Sequence, residues 1–265
     1  LYRQSIHRAH RVIANSRVSE KILVENYGLP PEKIAVIHNA LVFPPQAGAR
    51  PPSRSASPSP EYTSPPSGAP NTRAISRATD RAQLRARFNA SEKTVVLLCV
   101  AMFRPEKNQR ELIELAAQLP PDRDWQLWLA GEGAALAECQ ALVAAKNLGS
   151  RIKFTGFETD PRPLYHAADL AVLTSRSESL SNFLVEAHAH GLPSVAYNIS
   201  GTAECGGTVV PPGDQSAFLH AITPLLLDDG LRTKTSADVR AYALAHFAPE
   251  RQAAAHLELF EKLLT

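Results

Sequence analysis

Short, continuous apolar runs that alternate with amphipathic stretches constrain this chain more than any other feature. The runs lie at 94–101 (TVVLLCVA), 126–130 (QLWLA), 152–155, 170–174 and 194–197. Between and after them, helical periodicity covers about 79–88, 108–118, 134–147, 161–167, 182–190 and 214–228, then 229–246 and 249–264. Strands that are apolar on both faces and separated by helices predict a parallel sheet covered on both sides. The expected fold is therefore α/β, a doubly wound Rossmann-like domain, with ligands bound at the carboxyl ends of its strands.

A second, smaller piece precedes it. Residues 11–15 and 34–38 read as strands, with a helix over 17–27 capped by Ser16 and ended by Gly28. Between the two pieces, residues 44–70 carry nine of the 21 prolines and six serines. Such a stretch cannot bury enough apolar surface to offset its ordering entropy. The expected division is 1–43 as the end of an N-terminal domain and 44–77 as a mobile linker. A main domain then covers 78–248, with a terminal helix over 249–265. A short strand at 209–210 precedes Asp214, which caps the next helix.

Composition excludes several classes. A net charge of +2 gives no field for nucleic acid. Cys99, Cys139 and Cys205 are too few and too scattered for a disulfide framework or zinc site, and suit reduced thiols in the cytosol. No apolar run approaches the ~20 residues of a membrane span, and no signal peptide is visible. The chain opens on Leu1 in mid-fold, as a piece of a longer protein would.

The residues after each strand carry the chemistry. The first loop holds Arg104 and Lys107, a fork and a point charge suited to a diphosphate, or else a solvated loop with a local Lys–Glu pair. The second holds Gly131-Glu132-Gly133, where a ligand meets bare backbone or the chain turns tightly. Gly156-Phe157 closes the third strand, with Phe157 either on the core or at a base edge. Asp169 opens the next strand in a structural role. The segment at 175–193 is the most informative. Small polar residues lead into a helix near Asn182 whose free amides form an anion site. Glu178 lies before the helix and Glu186 inside it. Each carboxylate suits a pair of vicinal hydroxyls. His188 and His190 lack a third ligand, so no metal site is expected. Gly201, Gly206 and Gly207 mark a further loop of backbone donors.

These motifs, in this order, resemble the group 1 (family four) glycosyltransferases. The resemblance runs from about Val12 to the C-terminus, the linker excepted. It rests on FRPEKN at 103–108, WQLWLAGEG at 125–133, GF at 156–157, AADLAVLTSRSE at 167–178 and E-x7-E from Glu178 to Glu186. It implies the C-terminal, donor-binding half of a retaining GT-B enzyme with a remnant of the N-terminal domain. Arg104, Lys107 and Glu178 would be catalytic, the two cations neutralising the donor diphosphate and Glu178 holding the transferred sugar. Gly131, Gly133, Phe157, Leu180, Ser181, Asn182 and Glu186 would bind the donor, Glu186 at the ribose and the amides around 180–182 at the distal phosphate. It implies no cofactor and no metal, with a nucleoside-diphosphate sugar as substrate and a saccharide or lipid-linked acceptor as partner. The setting would be cytoplasmic or peripheral at the inner membrane face.

The sequence departs from the family pattern in two places. Only about 40 residues of the acceptor-type domain are present, and the loop between Glu204 and Val209 is short. The competing reading is a non-catalytic nucleotide-sugar-binding subunit that works with a separate acceptor-domain chain. An epimerase of the same fold and a purely structural domain are the remaining alternatives.

Overall fold

The computed structural model of this chain describes residues 2–41 and 77–264. The expected proline-rich linker lies outside the described residues except for Arg77, which already opens a helix.

The N-terminal piece holds α1 (Tyr2–Arg8), β1 (Val12–Ala14), α2 (Arg17–Tyr27) and β2 (Ile34–Val36). β1 and β2 pair in parallel. α1 carries no apolar periodicity strong enough to be read from sequence. Ser16 caps α2 by accepting from the Ser19 amide, and Gly28 ends it at φ 68°. Ile6, Ala14, Leu23 and Leu29 form its small core.

The larger piece runs α3 (Arg77–Arg87), β3 (Val95–Val100), α4 (Gln109–Ala116), β4 (Trp125–Ala130), α5 (Leu136–Ala145) and β5 (Ile152–Gly156). It continues with α6 (Arg162–Ala167), β6 (Leu170–Leu173), α7 (Asn182–Ala189), β7 (Ser194–Tyr197) and β8 (Thr208–Val210). α8 (Gln215–Leu227), α9 (Asp229–Phe247) and α10 (Pro249–Leu264) complete it. The six strands lie in the order β5-β4-β3-β6-β7-β8, all parallel. This is the doubly wound order, and it reverses between β3 and β6. The apolar runs are buried throughout β4, β6 and β7, as a sheet covered on both faces requires.

One polar knot ties α3 beneath the sheet. Arg85 is fully buried and donates to the carbonyl oxygens of Ser91, Thr94 and Ala167 and to Asp169. Asp169 also receives Arg81 and the Val96 amide, both at 2.8 Å. The structural role expected of Asp169 is thus observed.

The two pieces meet through Glu204. Its carboxylate accepts from the Arg17 amide at 2.9 Å and the Val18 amide at 3.3 Å, and pairs with His38 at 3.0 Å. Arg17 and Val18 open α2, where amides lack intrahelical acceptors and the dipole favours an anion. Glu204, just before the short loop, therefore serves the contact between the pieces.

Candidate functional site at the strand-order reversal

β3 and β6 are neighbours in the sheet but enter opposite halves of it, so the loops leaving them stand side by side. Asn108, at φ 53°, donates its side chain to the Thr174 carbonyl at 3.2 Å, and the Thr174 hydroxyl returns to the Asn108 carbonyl at 3.0 Å. The Arg176 amide donates to the Glu106 carbonyl at 2.8 Å. This crossed bonding fixes the loop of Arg104 and Lys107 against the loop of Glu178.

Lys107 Nζ lies 2.7 Å from Oε1 of Glu178, and the buried Ser175 hydroxyl donates to the same oxygen at 2.8 Å. The pair the sequence suggested within the first loop is instead formed across 71 residues. No described residue donates to Oε2 of Glu178. The Lys107 side chain is 25% exposed and that of Glu178 9%, so the pair is reachable from solvent. Arg104 stands outside it, half exposed, at 3.9 Å from Glu106. Arg104 and Arg176 line a small cleft of about 190 Å³ with Asn108, Gln109 and Cys139.

Ser181 caps α7 through its hydroxyl, which accepts from the Leu184 amide at 3.4 Å. The first amides of the helix, at Asn182 and Phe183, have no intrahelical acceptor. The Leu180 side chain is buried, while Asn182 is exposed and accepts from Asn39 at 3.3 Å. The Gly201 amide donates to the Glu178 carbonyl at 3.1 Å, bracing the loop from the far side.

Glu186 sits within α7 among the buried Leu184, Val185 and Ala187. Its Oε2 accepts a hydrogen bond from the Tyr165 hydroxyl, a partner that sequence reading missed. Burial first, and then the Glu186 carboxylate, push the Tyr165 hydroxyl far above the usual phenol range. It therefore stays a donor.

The glycines after β4 answer to a different neighbour than expected. A Cβ at Gly131 would lie 2.2 Å from the Ala101 carbonyl oxygen, and one at Gly133 2.4 Å from that of Phe103. The close backbone approach seen at these positions is therefore by the β3 loop itself. Phe157 does not pack on the core: it is 61% exposed, and Met102 is 46% exposed. Both follow carboxyl ends of strands.

His188 is buried, with Nδ1 bonded to the Cys205 carbonyl at 3.0 Å and Nε2 to the Ser194 hydroxyl at 2.8 Å. Burial lowers its pKa to about 4. Among the described residues, no group of three or more His, Cys, Asp or Glu is placed to hold a metal ion. All three cysteines are buried, and burial pushes their thiols up, to about 12 at Cys99.

This site coincides with known sequence families. Residues 80–243 match the model of glycosyl transferases group 1, and residues 1–41 that of glycosyltransferase family 4. The chain belongs to the group 1 glycosyltransferases. It is 29% identical to the lipopolysaccharide core biosynthesis glycosyltransferase LpsE of Rhizobium meliloti, over 66% of this chain and 52% of that protein. The chain thus spans about half the length of this curated relative. A glycosyltransferase of Rickettsia africae superposes with a TM-score of 0.80 at 19% identity, covering 100% of this chain and 67% of that one. HepE of Anabaena, solved with UDP and glucose, gives 0.76 at 23% identity, covering 98% and 64%. These likenesses establish the GT-B fold.

Proposed function

We propose that this chain is the donor-binding half of a retaining glycosyltransferase. It would move a sugar from a nucleoside-diphosphate sugar to a saccharide or lipid-linked acceptor. The observation that carries the reading is the Lys107–Glu178 pair at the strand-order reversal. A cation and a carboxylate are held there in contact, partly open to solvent, beside the amide end of a helix.

In this reading Lys107 and Arg104 neutralise the diphosphate, and the first amides of α7 take its distal oxygens. Glu178 uses its open oxygen for hydroxyls of the transferred sugar. Glu186 accepts the ribose hydroxyls, and Phe157 lies at the base. The bond from the anomeric carbon to the diphosphate breaks, and the acceptor oxygen bonds to the same face of that carbon. The acceptor proton passes to the departing diphosphate. Protein cations stabilise the charge developing on the leaving group, so no metal is required. That HepE is solved with UDP and that LpsE is a lipopolysaccharide core glycosyltransferase both support this donor and acceptor class.

The acceptor would meet a further Rossmann-like domain in the same or a separate chain, because residues 2–41 form only one two-stranded sheet. No described helix is long and apolar enough to cross a membrane. The proposal includes a cytoplasmic setting, with lipid-linked acceptors met at the inner membrane face.

The test compares the nucleotide with the full donor. Glu178→Ala is expected to weaken the sugar-bearing donor about tenfold or more, the loss of a hydrogen bond to a charged group. The bare nucleoside diphosphate should bind nearly as before, both measured by calorimetry. Equal losses for the two ligands would refute the role given to Glu178.

A further inference from the structure

The two carboxylates of the E-x7-E motif are held in the same manner. Each has one oxygen engaged by protein donors and one with no donor among the described residues. The terminal torsion of a glutamate is soft and roughly two-fold. A donor fixed at one oxygen therefore sets the plane of the carboxylate and aims the other oxygen.

For Glu178 the anchor is Lys107, which has its own task at the diphosphate. For Glu186 the anchor is Tyr165, which has no other visible task. Tyr165 is 1% exposed. Its ring stacks on His190 at 4.9 Å and on Phe183 at 6.2 Å. That packing fixes the hydroxyl between α6 and α7. A carboxylate that accepts one bond at Oε2 still offers Oε1 and a second lone pair. Two vicinal hydroxyls need those two positions.

We propose that Tyr165 is a positioning residue for nucleoside recognition: its hydroxyl holds Glu186 in the orientation that receives both ribose hydroxyls. Tyr165 thereby contributes to the choice of a ribonucleotide over a deoxynucleotide without touching the ligand. The proposal rests on the reading of Glu186 as the ribose partner. The competing role is structural, a core aromatic whose hydroxyl is merely satisfied by a nearby carboxylate.

The experiment uses the full chain, Tyr165→Phe and Glu186→Ala. Uridine and guanosine diphosphate are compared, and the tighter of the two is carried forward with its 2′,3′-dideoxy form. Tyr165→Phe keeps the ring and its stacking, and its unfolding midpoint reports the fold. It is expected to weaken the ribose form about tenfold, the loss of one charge-assisted bond's worth of binding. The dideoxy form should bind Tyr165→Phe as it binds the wild type. Glu186→Ala should abolish the preference altogether.

A Tyr165→Phe protein that keeps the wild-type preference would overturn the proposal. So would equal weakening of both ligands, which marks a role in the fold alone. If Glu186→Ala, or the wild type against the dideoxy form, shows that ribose is not read at Glu186, the underlying assignment fails and the proposal falls with it. Loss of preference in Glu186→Ala with none in Tyr165→Phe would sink the tyrosine proposal only.

Discussion

At the amino-terminal edge of the sheet, Asp169 takes Arg81 and the Val96 amide at 2.8 Å and Arg85 at 3.2 Å. At the carboxyl edge, Glu178 takes Lys107 and Ser175 on one oxygen and leaves the other open. Both edges pair a carboxylate with cations, but at the first both carboxylate oxygens are engaged by protein donors and at the second only one is. Cleft volume does not follow this distinction. Two of about 440 and 550 Å³ lie at the amino edge and share Asp169, Asp229 and Arg232 in their linings, side chains paired with arginine, aspartate or backbone partners. In the proposed reading, an open position on a braced carboxylate marks the donor site better than the volume of a groove does.

The comparison breaks most visibly at Arg85. Its guanidinium is buried and donates to three carbonyl oxygens, so Arg85→Leu leaves those groups and part of Asp169 unpaired. The expected loss of unfolding free energy is about 3–5 kcal/mol in urea titration. A near-neutral substitution would show that the amino edge is no more structural than the carboxyl edge.

This contrast also explains what the sequence could and could not disclose. Short continuous apolar runs such as VVLLCV and QLWLA, alternating with amphipathic helices, point to buried parallel strands, so the sheet and its doubly wound class were legible. The placement of Glu178 before α7 and Glu186 within it was legible from helix periodicity and the small polar residues that lead into the helix, where the structure shows Ser181 as the cap. Arg85 was not legible, because Arg81 and Arg85 on α3 look like the solvated face of an ordinary amphipathic helix. Nor was the Tyr165–Glu186 bond, which joins residues 21 apart on different helices. The Lys107–Glu178 contact spans 71 residues and the Glu204 contact to Arg17 spans 187. Such pairings are set by strand order, which local patterning does not encode. Gly131 and Gly133 were expected to admit a ligand to the backbone or to turn the chain tightly. The approaching group is the backbone of Ala101 and Phe103, one strand away.

A third closed group sharpens the comparison through pH. His188, inside α7, has both ring nitrogens engaged and its pKa lowered to about 4 by burial. An unfolded histidine titrates near 6.5. Between those values the unfolded chain takes up a proton that the folded chain refuses. The stabilising contribution is complete above about pH 6.5 and is lost as the pH falls toward 4, by on the order of 3 kcal/mol. Urea midpoints measured from pH 7 down to 4.5 should fall accordingly, and His188→Gln should flatten the slope. An unchanged slope in that variant would place the acid sensitivity elsewhere.

The central claim is that the open edge binds a nucleoside diphosphate through protein cations. Calorimetry of the chain with uridine and guanosine diphosphate in excess chelator measures this directly. The account predicts binding without divalent metal. Lys107→Ala and Arg104→Ala should each weaken it by about 1.5–3 kcal/mol while leaving the unfolding midpoint in place. Binding that appears only when magnesium is added, or that survives the loss of both cations, would contradict it.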